Sequence, residues 1–299
     1  MNNNKMAEII KIQGPELGSK LSDKLETNSS STVQALAMLR IGVFVPIRRN
    51  PPKNKTGGLD RPVFRTDISD EFRKLEFART EGFENVAIQG PALNFETDFK
   101  VWCGVIRAFN TYGYQNSVIK FSFAEFAKTC GFTSKQLDER LRTRIHDALV
   151  RIRGQVIEFT KPQVSKSYIG GLLSTGSFDA ENDTIELVAD PKLWELYSID
   201  HHVLLKLNVL SKLNRNETAQ CLYAYLSALP KDPFPISFKR LRERLCLTSS
   251  VKEQNRTIKK ALDKLRDIGF MRGDIVKKDN ESYLILDALS QRLSLNDKV

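Results

Sequence analysis

The feature that most constrains this chain is a self-match at a spacing of 115 residues, which lays KFSFAEFAKTCGFTS (Lys120 to Ser134) over PISFKRLRERLCLTS (Pro235 to Ser249). Ser122, Phe123, Thr133 and Ser134 meet Ser237, Phe238, Thr248 and Ser249 unchanged, while Phe121, Phe126, Cys130 and Phe132 meet Ile236, Leu241, Leu245 and Leu247. After a two-residue slip the match resumes, with Ile145, Ala148, Leu149, Ile152 and Arg153 over Ile258, Ala261, Leu262, Leu265 and Arg266. A chain that repeats one module folds it twice, so two domains are expected, and 299 residues are enough for both.

Each copy reads as a short helix, a tight turn and a longer helix, the helix-turn-helix plan. Ser122 with Glu125 makes a capping-box pattern before the first short helix, and Ser250 with Glu253 makes one before the second long helix. In both long helices the matched apolar residues fall at i, i+3, i+4 and i+7, so one face of each is expected to be buried. Strand-like sequence follows each helix: Val156 to Phe159 and Tyr168 to Leu173 in copy one, Asp274 to Val276 and Tyr283 to Leu286 in copy two, joined by the basic turns KPQVSKS and KKDNES. A helix-turn-helix followed by such a hairpin is a winged helix. Leading helices precede each unit, over Glu96 to Asn110 and Glu217 to Leu229. The expected fold class is α+β, two tandem winged-helix (helix-turn-helix plus β-wing) domains related by the internal repeat.

Three segments are expected: 1–60 as a mobile basic arm and linker, 61–200 as winged-helix domain 1, and 201–299 as winged-helix domain 2. The first 30 residues and RRNPPKNKTGGLD (Arg48 to Asp60) are polar and rich in Pro, Gly and Lys, whereas Ala35 to Ile47 reads as a strand or buried element. NDTIELVADPKLWELY runs from a strand into a short aromatic helix, which sets the domain boundary near Asp200.

A net charge of +10 points to a polyanionic partner, and double-stranded DNA leads. A helix projection puts Lys252, Arg256, Lys259 and Lys260 opposite the apolar stripe, with Asn255 near its edge. Arg reads guanine, Asn reads adenine and Lys neutralises phosphate, so these types suit direct readout. Lys239 and Arg240, in the short helix before them, complete the candidate set of copy two. The stretch Lys231 to Arg272 holds 12 Lys or Arg against five Asp or Glu, which predicts strong salt dependence. In copy one Arg140, Arg144, Asp147 and Arg151 recur along one flank beside Thr143. Arg140, Thr143, Arg144 and Arg151 are DNA-contact candidates, with a surface salt-bridge ladder through Asp147 as the alternative.

Several classes are excluded. No stretch approaches the roughly 18 apolar residues of a membrane span, and no amphipathic basic helix for a membrane surface stands out. The start of the chain shows no signal-peptide pattern, so a cytoplasmic protein is expected. Cys103, Cys130, Cys221 and Cys246 are widely spaced and read as buried apolar residues. With only His146, His201 and His202 beside them no zinc set assembles, so neither metal nor cofactor is expected. GPELGSK (Gly14 to Lys20) is too short for a phosphate-binding loop, and no nucleophile and metal set suggests a nuclease, so no enzymatic activity is expected.

MLRIGVFVP (Met38 to Pro46), TDFKVWCGVIRAF (Thr97 to Phe109), SFAEFAKTCGF, DPKLWELY (Asp190 to Tyr197) and EQNRTIKKAL (Glu253 to Leu262) together resemble the RepA replication initiators of low-copy plasmids, in particular the RepFIB class. The resemblance covers nearly the whole chain. It implies binding to repeated origin sites called iterons, opening of adjacent AT-rich DNA, and autoregulation of expression and copy number. It also implies self-association as monomer and dimer forms, and partnership with host DnaA, DnaB and chaperones. Domain 1 would then combine dimerisation, through exposed apolar residues such as Val150, with contact to the DNA backbone, and domain 2 would read the iteron. A transcriptional repressor using the same two units is the main alternative.

Overall fold

The computed structural model describes residues 8–11, 30–40, 43–47, 63–67, 85–112, 117–161, 166–190, 202–230 and 233–289. The chain forms two compact units: Met1–Ser29, Pro62–Leu93 and Thr97–Asp200 make the first, and Ser30–Arg61, Asn94–Glu96 and His201–Val299 the second. The aromatic helix expected over 191–197 lies outside the described residues, as do 1–7, 12–29, 41–42 and 48–60 of the expected arm.

In unit 1 the strands are β1 (Glu8–Lys11), β3 (Val63–Asp67), β4 (Asn85–Pro91), β5 (Ser117–Ser122), β6 (Val156–Lys161), β7 (Lys166–Gly170), β8 (Thr175–Asp179) and β9 (Thr184–Val188). Its helices are α2 (Asp98–Tyr112), α3 (Phe123–Thr129) and α4 (Glu139–Arg153). Unit 2 holds β2 (Ser31–Ala35), α1 (Leu36–Arg40), β10 (His202–Lys206), α5 (Leu207–Lys212), α6 (Glu217–Ser227), β11 (Ile236–Ser237), α7 (Phe238–Arg244), α8 (Val251–Asp267), β12 (Met271–Lys278) and β13 (Glu281–Leu289).

The helix-turn-helix pairs are α3–α4 and α7–α8, and the matched residues explain themselves. Ser122 and Ser237 are the N-caps of α3 and α7, each side-chain oxygen accepting the backbone N–H three residues on. At the other end both short helices close with the same reversed-turn bonding: Phe132 N donates to Ala127 O at 3.0 Å, and Leu247 N to Arg242 O at 3.2 Å. This motif wants an apolar residue just past the turn, which is why Phe132 and Leu247 correspond. It also needs a left-handed residue before them. Gly131 supplies φ +85°, whereas the corresponding Cys246 is held at φ 47°, half-exposed rather than buried as its apolar surroundings predicted. The two-residue slip has a cause as well: copy one inserts a 3-10 turn, Ser134–Gln136, before Asp138 caps α4.

The apolar stripes are buried as the spacing demands. Ile145, Ala148 and Ile152 of α4 and Ile258, Leu262 and Leu265 of α8 are all 0% exposed, each Leu or Ile contributing about 2 kcal/mol by area. The capping box at Ser122 is complete, with the Glu125 carboxylate accepting the Ser122 N–H at 3.0 Å. Its expected counterpart is not: Ser250 begins α8 without a side-chain cap.

The wing of unit 2 is the β12–β13 hairpin in a sheet of order β11-β13-β12. Asp279 and Asn280, both at positive φ, make the two-residue turn whose twist suits a hairpin. In unit 1 the expected wing, β6–β7, pairs instead with β4 in the sheet β3-β4-β6-β7. The strand equivalent to β11 is β5, and it pairs with β9, so that Ser122 faces Thr184 as Ser237 faces Tyr283. The β8–β9 hairpin is therefore the wing of unit 1. Both hairpins satisfy the local strand pattern, and only the long-range partner tells them apart.

Residues 1–60 are not wholly an arm. Glu8–Lys11 pairs antiparallel with Ser117–Lys120 of β5, and Ser31–Ala35 pairs with His202–Lys206 of β10. Arg244 then donates to the Leu39 carbonyl at 2.6 Å, and Glu217 accepts the Ile47 N–H at 2.7 Å, which fixes 31–47 within unit 2.

Replacing Cys246 with Gly should stabilise the protein by about 1 kcal/mol, since left-handed backbone costs a side-chain-bearing residue on that order. A fall in the urea midpoint would contradict a left-handed backbone at Cys246.

Candidate nucleic-acid interface

The exposed face of α8 is divided along its length. Its first ten residues present Lys252, Arg256, Lys259 and Lys260, all exposed, while the exposed residues after them are Asp263 and Asp267, with Lys264 and Arg266 half-buried. Positive charge is thus concentrated where the recognition helix of a winged helix enters the groove. Arg256 is tied to Glu253 by hydrogen bonds of 2.7 and 2.9 Å, which hold its guanidinium pKa above the usual value. It is 61% exposed, so this exposed pair is weak and exchangeable for a nucleic-acid acceptor.

Two contacts lock the helix-turn-helix of unit 2 to its wing, one from α8 and one from α7. Arg266 donates to the Gly273 carbonyl of β12 at 2.8 and 3.1 Å. Near the turn, Arg242 of α7 donates to Glu281 at 3.2 Å, and Glu281 also accepts the Lys239 N–H at 3.1 Å. Burial alone would raise the Glu281 pKa, but the hydrogen bonds and charge of Arg242, with the Lys239 and Ser282 N–H groups, outweigh it and hold the carboxyl below its usual range. Asn255, half-buried at the edge of the basic face, accepts from Arg242 at 2.7 Å. Lys239 is exposed beside this cluster; Arg240 is half-buried, its backbone N–H donated to the Ser237 cap. Lys277 and Lys278 are exposed on the wing strand, and Arg242, Lys277 and Lys278 are the members that helix periodicity alone did not single out. Their signal was the KK preceding the turn and an Arg on the first helix.

Unit 1 is different. Arg140, Thr143 and Arg144 lie on the exposed surface of α4, although Arg144 also donates to the Thr97 hydroxyl at 3.0 Å and Thr143 to the Glu139 carbonyl at 3.1 Å. Arg151 is not a surface residue. It is only 8% exposed and donates to the wholly buried Asp98 carboxylate of α2 at 2.6 and 3.3 Å. The projection placed it on the basic flank, but that flank adjoins the stripe, and α2 packs over its last turn. The alternative ladder does not form either, because Asp147 pairs with His146 at 3.3 Å. The wing turn of unit 1 is acidic: Asp179 ends the strand before it, Glu181 and Asp183 lie within it, and hydrogen bonds from the Asn182 side chain and backbone hold the Asp179 carboxyl below its usual range. Such a turn repels phosphate.

No helix among the described residues is long and apolar enough to cross a membrane. Two winged helices, one bearing a basic helix tied to its wing, define a tandem winged-helix protein. Residues 99–227 match the family described as Initiator Replication protein, WH1. The chain is 46% identical over 273 residues to the Escherichia coli protein "Replication protein RepA", covering 91% of this chain and 93% of that one. It is 40% identical over 271 residues to the Salmonella typhi "RepFIB replication protein A", covering 90% and 82% respectively. A solved structure of domains 2 and 3 of RctB shares the fold at a TM-score of 0.51 and 11% identity, covering 86% of this chain and 99% of that one. The chain belongs to the RepA and RepFIB family of plasmid replication initiators.

Replacing Arg151 with Ala should destabilise the protein by about 3–5 kcal/mol, because it leaves the Asp98 carboxylate buried without its partner. Denaturant unfolding measures this, and a variant of native stability that merely bound DNA less well would return Arg151 to the surface set.

Proposed function

We propose that this protein starts plasmid replication by binding repeated iterons at the origin through unit 2, with α8 in the major groove and the β12–β13 wing along the backbone. The observation that carries this reading is the basic N-terminal half of α8, backed by a wholly buried stripe and held to the wing by Arg242 and Arg266. Lys252, Asn255, Arg256, Lys259 and Lys260 form the base-reading and phosphate-contacting set, and Lys239 and Arg240 support it at the start of α7. Unit 1 adds backbone contact through Arg140, Thr143 and Arg144. It also supplies self-association, for which Val150, 46% exposed on α4, is a candidate. Bound copies promote opening of the origin and recruit host DnaA and DnaB, while dimers, kept in balance by chaperones, repress expression and limit copy number. The protein acts in the cytoplasm on plasmid DNA and performs no bond-making chemistry of its own.

A plasmid carrying only this gene and its flanking repeats should replicate, whereas a repressor would bind those repeats without supporting replication. Arg256→Ala should weaken binding to the repeats by about 1–3 kcal/mol while leaving the melting temperature unchanged. Lys259→Ala should weaken binding to all duplexes alike and lower the salt slope by about one. Gel shifts across a salt series read both effects, and an unaltered affinity for Arg256→Ala would remove α8 from the interface.

A further inference from the structure

Arg242 belongs to α7 and faces inward, yet it is bonded to the one amide on the edge of the basic face. Its Nη1 donates to Asn255 Oδ1 at 2.7 Å, and its Nη2 to Glu281 Oε2 at 3.2 Å. Glu281 is itself held by the Lys239 backbone N–H, so α7, α8 and the first residue of β13 meet in one network. A guanidinium only donates, so the group that Asn255 turns toward it is the carbonyl oxygen. The Nδ2 amino group is thereby directed away from Arg242.

The repeat supplies the contrast. With Ile145 over Ile258, the residue over Asn255 is Arg142. In unit 1 this recognition-helix position itself holds the wing, since Arg142 pairs with Asp183 and its guanidinium lies 4.4 Å from the centre of the Phe123 ring. In unit 2 the task of bridging to the wing falls to Arg242 one helix earlier, which leaves position 255 available for readout.

We infer that Arg242 is a positioning residue for sequence readout: it orients the Asn255 amide so that Nδ2–H donates to an acceptor on a base edge, and it makes base discrimination depend on the wing through Glu281. The inference rests on the DNA-reading role proposed above and extends it to a residue outside the exposed basic face. A rotating amide could serve as donor or acceptor toward any base, whereas a fixed one selects acceptors such as N7 or O6 of a purine or O4 of thymine.

The test uses the full-length protein. Duplexes bound by the wild type are selected from a randomised pool, and every single base-pair change in the selected site is then assayed with wild type, N255A, R242A, R242K and the N255A/R242A double variant. R242A should lose roughly tenfold discrimination at one base pair, the same one that N255A affects. The double variant should be no worse there than N255A. R242K keeps the charge but lacks the planar fork needed to hold both partners, so it should relax the same position; it also decides the matter should R242A fail to fold. Equal weakening on every duplex, full additivity of R242A with N255A, or wild-type discrimination by R242K would each overturn the inference. Selection that returns no preferred sequence for the wild type would overturn the DNA-reading role itself, and this inference with it.

Discussion

Burial of one stripe on each long helix is the interaction on which the rest of the structure depends. Ile258, Leu262 and Leu265 have no exposed surface, and neither have Ile145, Ala148 and Ile152. A helix anchored along such a narrow apolar line cannot roll, so the residues opposite are committed to the outside. In unit 2 those residues are cationic over the first half of the helix. The short helices, closed by Phe132 and Leu247, fix where the long ones begin, and the wings brace the far side. The exposed position of Arg256 is thereby a consequence of packing, set by buried side chains on the opposite face.

The two copies share this frame and differ in how they use it. Unit 2 bridges helix to wing with Arg242 and Glu281, leaves Asn255 at the edge of its face, and flanks its wing turn with Lys277 and Lys278. Unit 1 bridges with Arg142 from the recognition helix, buries Arg151 against Asp98, and places Asp179, Glu181 and Asp183 at its wing turn. Exposed cationic groups remain at Arg140 and Arg144, but the wing beside them carries the wrong sign for phosphate. This asymmetry is what supports the proposal that unit 2 is the base-reading half.

Unit 2 also draws on distant chain. Ser31–Ala35 forms a two-stranded sheet with His202–Lys206, and Arg244, at the end of the first helix of the helix-turn-helix, donates to the Leu39 carbonyl. The short helix that positions α8 therefore leans on residues some 200 positions earlier in the chain. A polar run before Ser31 and a Pro- and Lys-rich run after Ile47 flank this piece, which is why 1–60 reads as an arm overall although Ala35 to Ile47 within it reads as a buried element, as Met38, Leu39, Phe44 and Val45 are.

The periodic stripes, the cap at Ser122 and the turn at Asp279–Asn280 were legible in the sequence because each arises between residues only a few positions apart, and the doubled module because its two copies keep the same local pattern. The fold class and the basic face of α8 followed from them, and the family from the resemblance of longer strings such as TDFKVWCGVIRAF and EQNRTIKKAL. Tertiary structure alone decided which hairpin is the wing of unit 1, that Arg151 is consumed by Asp98, and that Arg242 reaches Asn255. Strand pairing and ion pairing across helices depend on partners brought together by the whole fold, and a local pattern carries no record of them. A helix projection separates buried from exposed faces correctly at their centres. At their edges, where Arg151 and Asn255 lie, the neighbouring element determines whether a polar group meets solvent or protein.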